Sequence, residues 1–216
     1  MRRLAFPLLA LAVCAVSSGK EKSKAAGNDS VEAGRLLFSV NCAACHQPGG
    51  VGKPGFAPGV RNPDFLDLVS DEWLSRTILA GRPGTAMVGR PDLAGKPVAD
   101  LVAYLRTTPG AKLRPEPPKP PSLPKGEMRA GAEKFAAYCA ACHGLRGEGY
   151  LLGLPGPSIG KPGFLLGVSD GYLVETMRRG RRGTAMRSFA GPEGLADLRD
   201  RDFADLVAYL RGLTSK

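Results

Sequence analysis

Histidine is almost missing from this sequence: 216 residues contain two, His46 and His143. A site that needs several imidazoles on one metal is thereby excluded within a single chain. Long apolar runs are missing as well. Residues 4–16 (LAFPLLALAVCAV) number thirteen, too few for the roughly twenty that carry a helix across a bilayer. The glycine- and proline-rich stretches 47–69 and 81–96 show no alternation of apolar and polar residues, which argues for loops rather than strands. No recognised nucleic-acid-binding motif occurs, although the formal net charge is +10.

What is present describes a folded, soluble chain, 43% hydrophobic and 23% charged. Its amino terminus adds a compartment. Met1-Arg2-Arg3, the apolar stretch 4–16 and the polar SSGKEKSK have the order of an export signal. Two outcomes are open for Cys14. Cleavage after Ser17 removes it with a signal peptide 1–17, or it becomes the acylated first residue of a lipoprotein after a signal of residues 1–13. The second resembles the bacterial lipobox in Leu11-Ala12-Val13-Cys14, although Val13 is larger than usual at its position. Both place the protein outside the cytoplasm, in the periplasm or an equivalent space, with a membrane tether in the second.

The remaining chain is a duplication. GRLLFSVNCAACH (34–46) matches GAEKFAAYCAACH (131–143), SDEWLSRTILAGRPGTAM (70–87) matches SDGYLVETMRRGRRGTAM (169–186), and ADLVAYLR occurs identically at 99–106 and 204–211. The offset grows from 97 to 99 to 105, so small insertions lie on either side of the second GTAM. Domains at 28–106 and 126–216 are joined by residues 107–125, of which seven are proline. Such a linker favours extended polyproline conformation, at roughly 3 Å per residue. The halves either hang as beads on this tether or pack together with the linker draped over them.

Helical periodicity runs through each copy. Asn28-Asp29-Ser30 caps a helix over 31–42, Trp73, Leu74, Ile78 and Leu79 mark one over 71–80 that ends at Gly81, and Pro97 opens another over 97–106. The expected fold is all-α: two tandem domains of three to four short helices each, with long loops. Domains this small bury little apolar surface and need something else to tie them together.

CAACH supplies it. In Cys-x-x-Cys-His the two thiols can add to the vinyl groups of a haem while the histidine faces the iron, which makes Cys42, Cys45, Cys139 and Cys142 attachment points for two haem c groups and His46 and His143 iron ligands. A redox-active disulfide, or a zinc site assembled from both pairs, is the alternative, though neither uses the motif as well. With no spare histidine, the sixth iron position falls to another side chain. Met87 and Met186 each follow Gly-Thr-Ala, 41 and 43 residues after their histidines, and are the candidate ligands. Met128 and Met177 lack such pairing and read as gap fillers.

Both halves, over roughly 30–106 and 126–212, resemble class I cytochromes c, and the whole resembles the dihaem electron carriers of that class. The resemblance implies a crossing of first and last helices, with Gly34 and Phe38 meeting Leu101 and Tyr104, and Gly131 and Phe135 meeting Leu206 and Tyr209. It also implies a prolyl carbonyl that orients each histidine: Pro58 and Pro157, with Pro54 and Pro155 close by. Trp73 and its counterpart Tyr172 read as packing residues, with a bond to a haem propionate as the other choice.

Charge is uneven. The first domain carries eight basic and eight acidic residues, the second thirteen and ten. Arg178, Arg179, Arg181 and Arg182 cluster before the second GTAM, either as a solvated face or as a docking patch for an acidic redox partner. The expected function is that of an electron carrier rather than an enzyme. It shuttles single electrons between respiratory donor and acceptor proteins, or does so as the cytochrome subunit of a larger dehydrogenase or respiratory complex. A dihaem peroxidase needs a second histidine on one iron, which this chain lacks.

Overall fold

The computed structural model describes residues 18–111, 119 and 122–214, with side chains from residue 27 onward. The export signal, Cys14 and most of the proline-rich linker lie outside the described residues. Among those described there are ten α-helices and no β-strand beyond two isolated bridges. The first half contains α1 (Ser18–Asn41), α2 (Ala43–His46), α3 (Pro63–Leu66), α4 (Asp71–Ala80) and α5 (Lys96–Arg106). The second repeats them as α6 (Met128–Tyr138), α7 (Ala140–His143), α8 (Pro162–Leu165), α9 (Asp170–Arg179) and α10 (Asp200–Gly212). No helix among the described residues is long and apolar enough to cross a membrane.

Local signals explain most boundaries. Ser70 and Ser169 accept bonds at 3.1 Å from the amides of Trp73 and Tyr172, capping α4 and α9. Both helices stop at a glycine with φ of 67°, Gly81 and Gly180, where an L side chain is disfavoured. The amino end of α1 differs from expectation. Instead of starting after a cap at Ser30, the helix runs unbroken from Ser18. Ser30 Oγ donates to Asp100 on α5, so a tertiary partner replaces the local cap.

In each half the first helix crosses the last at a glycine. A Cβ on Gly34 would land on the Asp100 carbonyl, and one on Gly131 on the Asp205 carbonyl, so only glycine permits the approach. Beside these contacts Phe38 meets Tyr104 at 5.5 Å between ring centres, and Phe135 meets Tyr209 at 5.2 Å. Phe38, Leu101, Phe135 and Leu206 are almost completely buried.

Asp100 and Asp205 sit at the same crossings. Burial pushes both carboxyls up, but charged and amide donors outweigh it and hold them below the usual carboxylate range. The donors are Lys96 and Ser30 for Asp100, and the Glu127 amide and Lys134 for Asp205. A further clamp ties the last helix to the middle of each half. Arg106 donates to Leu66 O at 2.6 Å and Val69 O at 2.7 Å, and Arg211 donates to Val168 O at 2.7 Å and to Leu165 O.

The two halves pack together through α3–α4 and α8–α9. Trp73 and Tyr172 stack across the seam, centres 6.3 Å apart with planes at 19°, and Trp73 Nε1 donates to the Gly167 carbonyl. The contacts are reciprocal. The Arg82 guanidinium lies 5.1 Å from the centres of Trp73 and Phe164, and Arg181 lies 5.6 Å and 5.3 Å from those of Tyr172 and Phe65. Arg182 also bridges to Asp64 at 2.8 Å across the seam. Trp73 is thus a packing residue, as expected, but of the seam between halves.

Two predictions follow from the crossings. Gly131→Ala forces α6 off α10, and denaturant unfolding should show a loss of about 1–3 kcal/mol. For Asp205 the folded carboxyl is lowered, so its contribution is fully present above the ordinary value of 3.8 and fades as pH falls below it. The stability gap between wild type and Asp205→Asn should therefore be open at pH 7 and narrow toward pH 2.

Candidate functional site

Each Cys-x-x-Cys-His segment forms one tight helical turn directly after the first helix of its half. Cys42 N bonds Phe38 O and His46 N bonds Cys42 O, both at 2.9 Å, and Cys139 and His143 repeat the pattern at 2.9 Å. Spacings of three and four residues put both sulfurs and the imidazole on one side of the turn. Cys42 and Cys139 are half-buried, and Cys45 and Cys142 are exposed.

Cys42 and Cys139 are poorly suited to disulfide exchange. Burial, reinforced by the neighbouring Cys142, pushes Cys139 up to about 12, and burial also raises Cys42 although Arg90 pulls the other way. An exchanging thiol needs a readily formed thiolate. Nor do the pairs converge: among the described residues no three His, Cys, Asp or Glu side chains gather into a group able to hold a metal ion. A zinc site shared between the halves is thus not assembled.

His46 Nδ1 lies 2.8 Å from Pro58 O, and His143 Nδ1 lies 2.9 Å from Pro157 O. A carbonyl can only accept, so Nδ1 carries the proton in both rings and Nε2 keeps its lone pair for a metal. Burial holds His143 below the usual imidazole range, against the contrary pull of the Pro157 carbonyl. Pro155 is engaged elsewhere, its carbonyl accepting from Gly55 N at 3.4 Å across the seam.

Glycines let these loops close on the ring. A Cβ on Gly156 would come within 2.8 Å of His143 Nδ1 and 2.7 Å of Cys142 O.

The Gly-Thr-Ala-Met repeats fold into matching closed turns. Arg82 N donates to Met87 O at 2.8 Å, and the Thr85 hydroxyl accepts from Met87 N at 3.2 Å. Arg181, Thr184 and Met186 repeat this at 2.6 and 3.1 Å. Neither methionine is part of the fully buried core, whereas Met177 is, with 8% of its surface exposed. Apolar side chains near the motifs stay exposed, among them Val51, Phe56 and Val88 in the first half and Leu145, Leu151 and Leu152 in the second. Paired thiols, a neutral imidazole with a free lone pair and an apolar surround fit a large flat metalloporphyrin.

The four clustered arginines have separate fates. Arg178 pairs with Asp200 at 2.6 Å, Arg179 pairs with Glu175, Arg181 turns into the seam, and Arg182 pairs with Asp64. The sequence reading missed the role of Arg82, whose alignment with Arg181 was the available signal.

A histidine turned by a prolyl carbonyl beside two thiols, under helices crossed at a glycine, is the architecture of a class I cytochrome c, and this chain contains it twice in tandem. Residues 29–105 and 126–210 match the family described as "Cytochrome C oxidase, cbb3-type, subunit III", and the chain belongs to that family. It is 31% identical over 165 residues to the cbb3-type cytochrome c oxidase subunit FixP of Bradyrhizobium sp. strain ORS 278, covering 69% of this chain and 51% of that protein. Against the CcoP subunit of Azospirillum sp. strain B510 it is 28% identical over 200 residues, 83% of this chain and 61% of the relative. A solved chain of the Kuenenia stuttgartiensis reducing HAO-like protein complex superposes with a TM-score of 0.49 at 23% identity, over 84% of this chain and 96% of that one. The chain thus spans about half the length of the FixP relatives it matches.

Gly156→Ala should push the His143 ring off Pro157, and loss of the hydrogen-bonded Nδ1 proton signal in NMR, with His46 unaffected, is the expected outcome.

Proposed function

We propose that the protein carries two covalently bound haem c groups and passes single electrons between redox proteins outside the cytoplasm. The haem, when bound, supplies a reversible one-electron couple at its iron. The chain's own residues supply everything that holds and aims it. Cys42 and Cys45 attach the first haem and Cys139 and Cys142 the second, through thioether bonds. His46 and His143 present Nε2 to iron, with Pro58 and Pro157 fixing ring rotation and tautomer. Met87 and Met186 offer a thioether from the closed loops. Histidine with methionine raises the potential above that of two histidines, which suits a carrier in a respiratory chain.

The observation that carries this reading is the prolyl carbonyl bond to Nδ1, made at 2.8 and 2.9 Å in the two halves. It leaves the Nε2 lone pair of each ring available to a metal, which supports the reading. A carrier needs no acid–base pair, so the two saturated irons suffice. The export signature in residues 1–17 supports an extracytoplasmic site, with a membrane tether through acylated Cys14 or through a membrane complex. Of the four clustered arginines, Arg179 and Arg182 keep side chains 39% and 69% exposed toward a partner, although each already pairs with a carboxylate, Glu175 and Asp64.

A second reading is favoured by the matching family: the protein acts as the cytochrome subunit of an oxidase complex. Affinity capture from detergent-solubilised membranes separates the two. Co-purification of another cytochrome c oxidase subunit supports membership, and recovery of the cytochrome alone supports a free carrier.

Denatured protein should show two haems per chain that acidified acetone does not extract. Colourless protein, or extractable haem, would overturn the reading. In potentiometric titration both couples should be of high potential, and Met87→Ala should alter the spectrum and potential of one haem only.

A further inference from the structure

The two methionine loops follow the same backbone path but are held by different side chains. Three residues past each methionine the main chain returns to α4 or α9: Arg90 N donates to Ile78 O, and Phe189 N donates to Met177 O, both at 3.0 Å. Leu93 and Leu198, which share a place in the repeat, are buried alike. The returning position is where the halves part. Phe189 is 6% exposed and belongs to the core, and Met186 packs partly buried against that core. Arg90 stays at the surface with 34% of its side chain exposed, and Met87 is not among the described side chains packed on the core.

Arg90 replaces the missing ring with three polar bonds. Its Nε and Nη2 donate to the Asp92 carboxylate at 2.9 and 2.7 Å, which fixes the plane of the guanidinium. Nη1 then donates to Asn41 Oδ1 at 2.7 Å. Asn41 is the last residue of α1 and stands directly before Cys42, and its own side-chain amide donates to Leu37 O at 2.8 Å. One side chain thus spans from the loop that carries Met87 to the turn that carries Cys42 and His46. In the second half these two positions hold Phe189 and Tyr138, and a phenyl ring can make no such bond. The two kinds of hold differ in how they yield. A buried ring comes loose only by exposing its area to water, whereas a bond at the surface exchanges for one to water at small net cost.

Resting on the dihaem reading above, with Met87 and Met186 as iron ligands, we propose that Arg90 is the positioning residue for Met87, and that the first haem is consequently the one whose sixth position opens to an outside ligand. The ligand class is a small neutral donor able to bind iron, for which imidazole is the probe. The second haem, its loop pinned by Phe189, keeps its methionine.

The test uses the haem-loaded protein, after two covalent haems per chain have been verified. Their absence, or a Met87→Ala variant that keeps the full far-red absorption of sulfur-bound ferric iron, defeats the dihaem reading on which the proposal rests. Imidazole titration of the ferric protein, followed through that absorption, should show two phases, and the phase at lower imidazole should be missing from Met87→Ala. Arg90→Leu should move that phase to about tenfold lower imidazole, the worth of one charge-assisted bond, and leave the other in place. Asn41→Ala cuts the same bond from its other end and should give a similar shift, with the double variant no worse than either alone. Arg90→Lys, which keeps a donor, should recover part of the loss. The proposal is overturned if the two haems titrate together in the wild type, or if the low-imidazole phase belongs to Met186. It is also overturned if Arg90→Leu and Asn41→Ala leave the first phase unmoved, if their shifts add, or if they move both phases equally, which would assign Arg90 to general stability.

Discussion

A helix can rest against the carbonyl of another only where it carries no side chain, and each half of this protein is arranged around one such contact. Gly34 lies on Asp100, and Gly131 lies on Asp205. The contact fixes the angle of the first helix against the last. Because the cysteine turn follows the first helix without a connecting loop, it also fixes where both sulfurs and the imidazole stand. Everything that follows in the chain has to return to that point. The loop after each histidine brings a prolyl carbonyl to Nδ1, and the arginine at the end of ADLVAYLR anchors the carbonyls before α4 and α9. A chain with almost no sheet can hold its loops still in this way, because buried backbone groups find partners one at a time.

The duplication then acquires a second use at the seam. Equivalent residues meet their counterparts crosswise: Trp73 with Tyr172, Arg82 with Phe164, and Arg181 with Phe65. An interface between copies repeats each contact in this fashion. Divergence has broken the repetition where polarity matters. Asp64 and Arg182 bridge on one side, and their counterparts Gly163 and Pro83 pack backbone against ring on the other. The same exchange explains why the surplus of arginine in the second half is not a surplus of free charge, since Arg182 is spent on the first half and Arg178 on Asp200.

Much of this was legible in the residues. The repeats fixed the helical pairs, CAACH fixed the thiols and imidazoles, and Pro58 and Pro157 are the prolines that face the rings. What escaped was long-range and electrostatic. Ser30 looked like a cap because it follows Asn and Asp, but a hydroxyl goes to whichever partner the fold offers, and α5 offered Asp100. Trp73 read as a packing residue with no partner assigned, because periodicity identifies a buried face without saying what buries it. Arg106 and Arg211 escaped for a related reason: each bonds two backbone carbonyls, which carry no sequence signal, and its acidic partner, Asp71 or Asp170, lies far away in the chain.

Arg82 and Arg181 show the limit most sharply. Sequence grouped Arg181 with three neighbours as one basic run, and adjacency in the chain was the only warrant. After α9 ends at Gly180, successive side chains point apart, so Arg181 turns inward onto Tyr172 while Arg182 crosses to Asp64. Pairing by repeat was the better guide, since Arg82 and Arg181 share a position and a fate. Where a duplicated chain keeps one charged residue in both copies but varies the charges around it, the kept residue is the one whose surroundings are fixed by the fold.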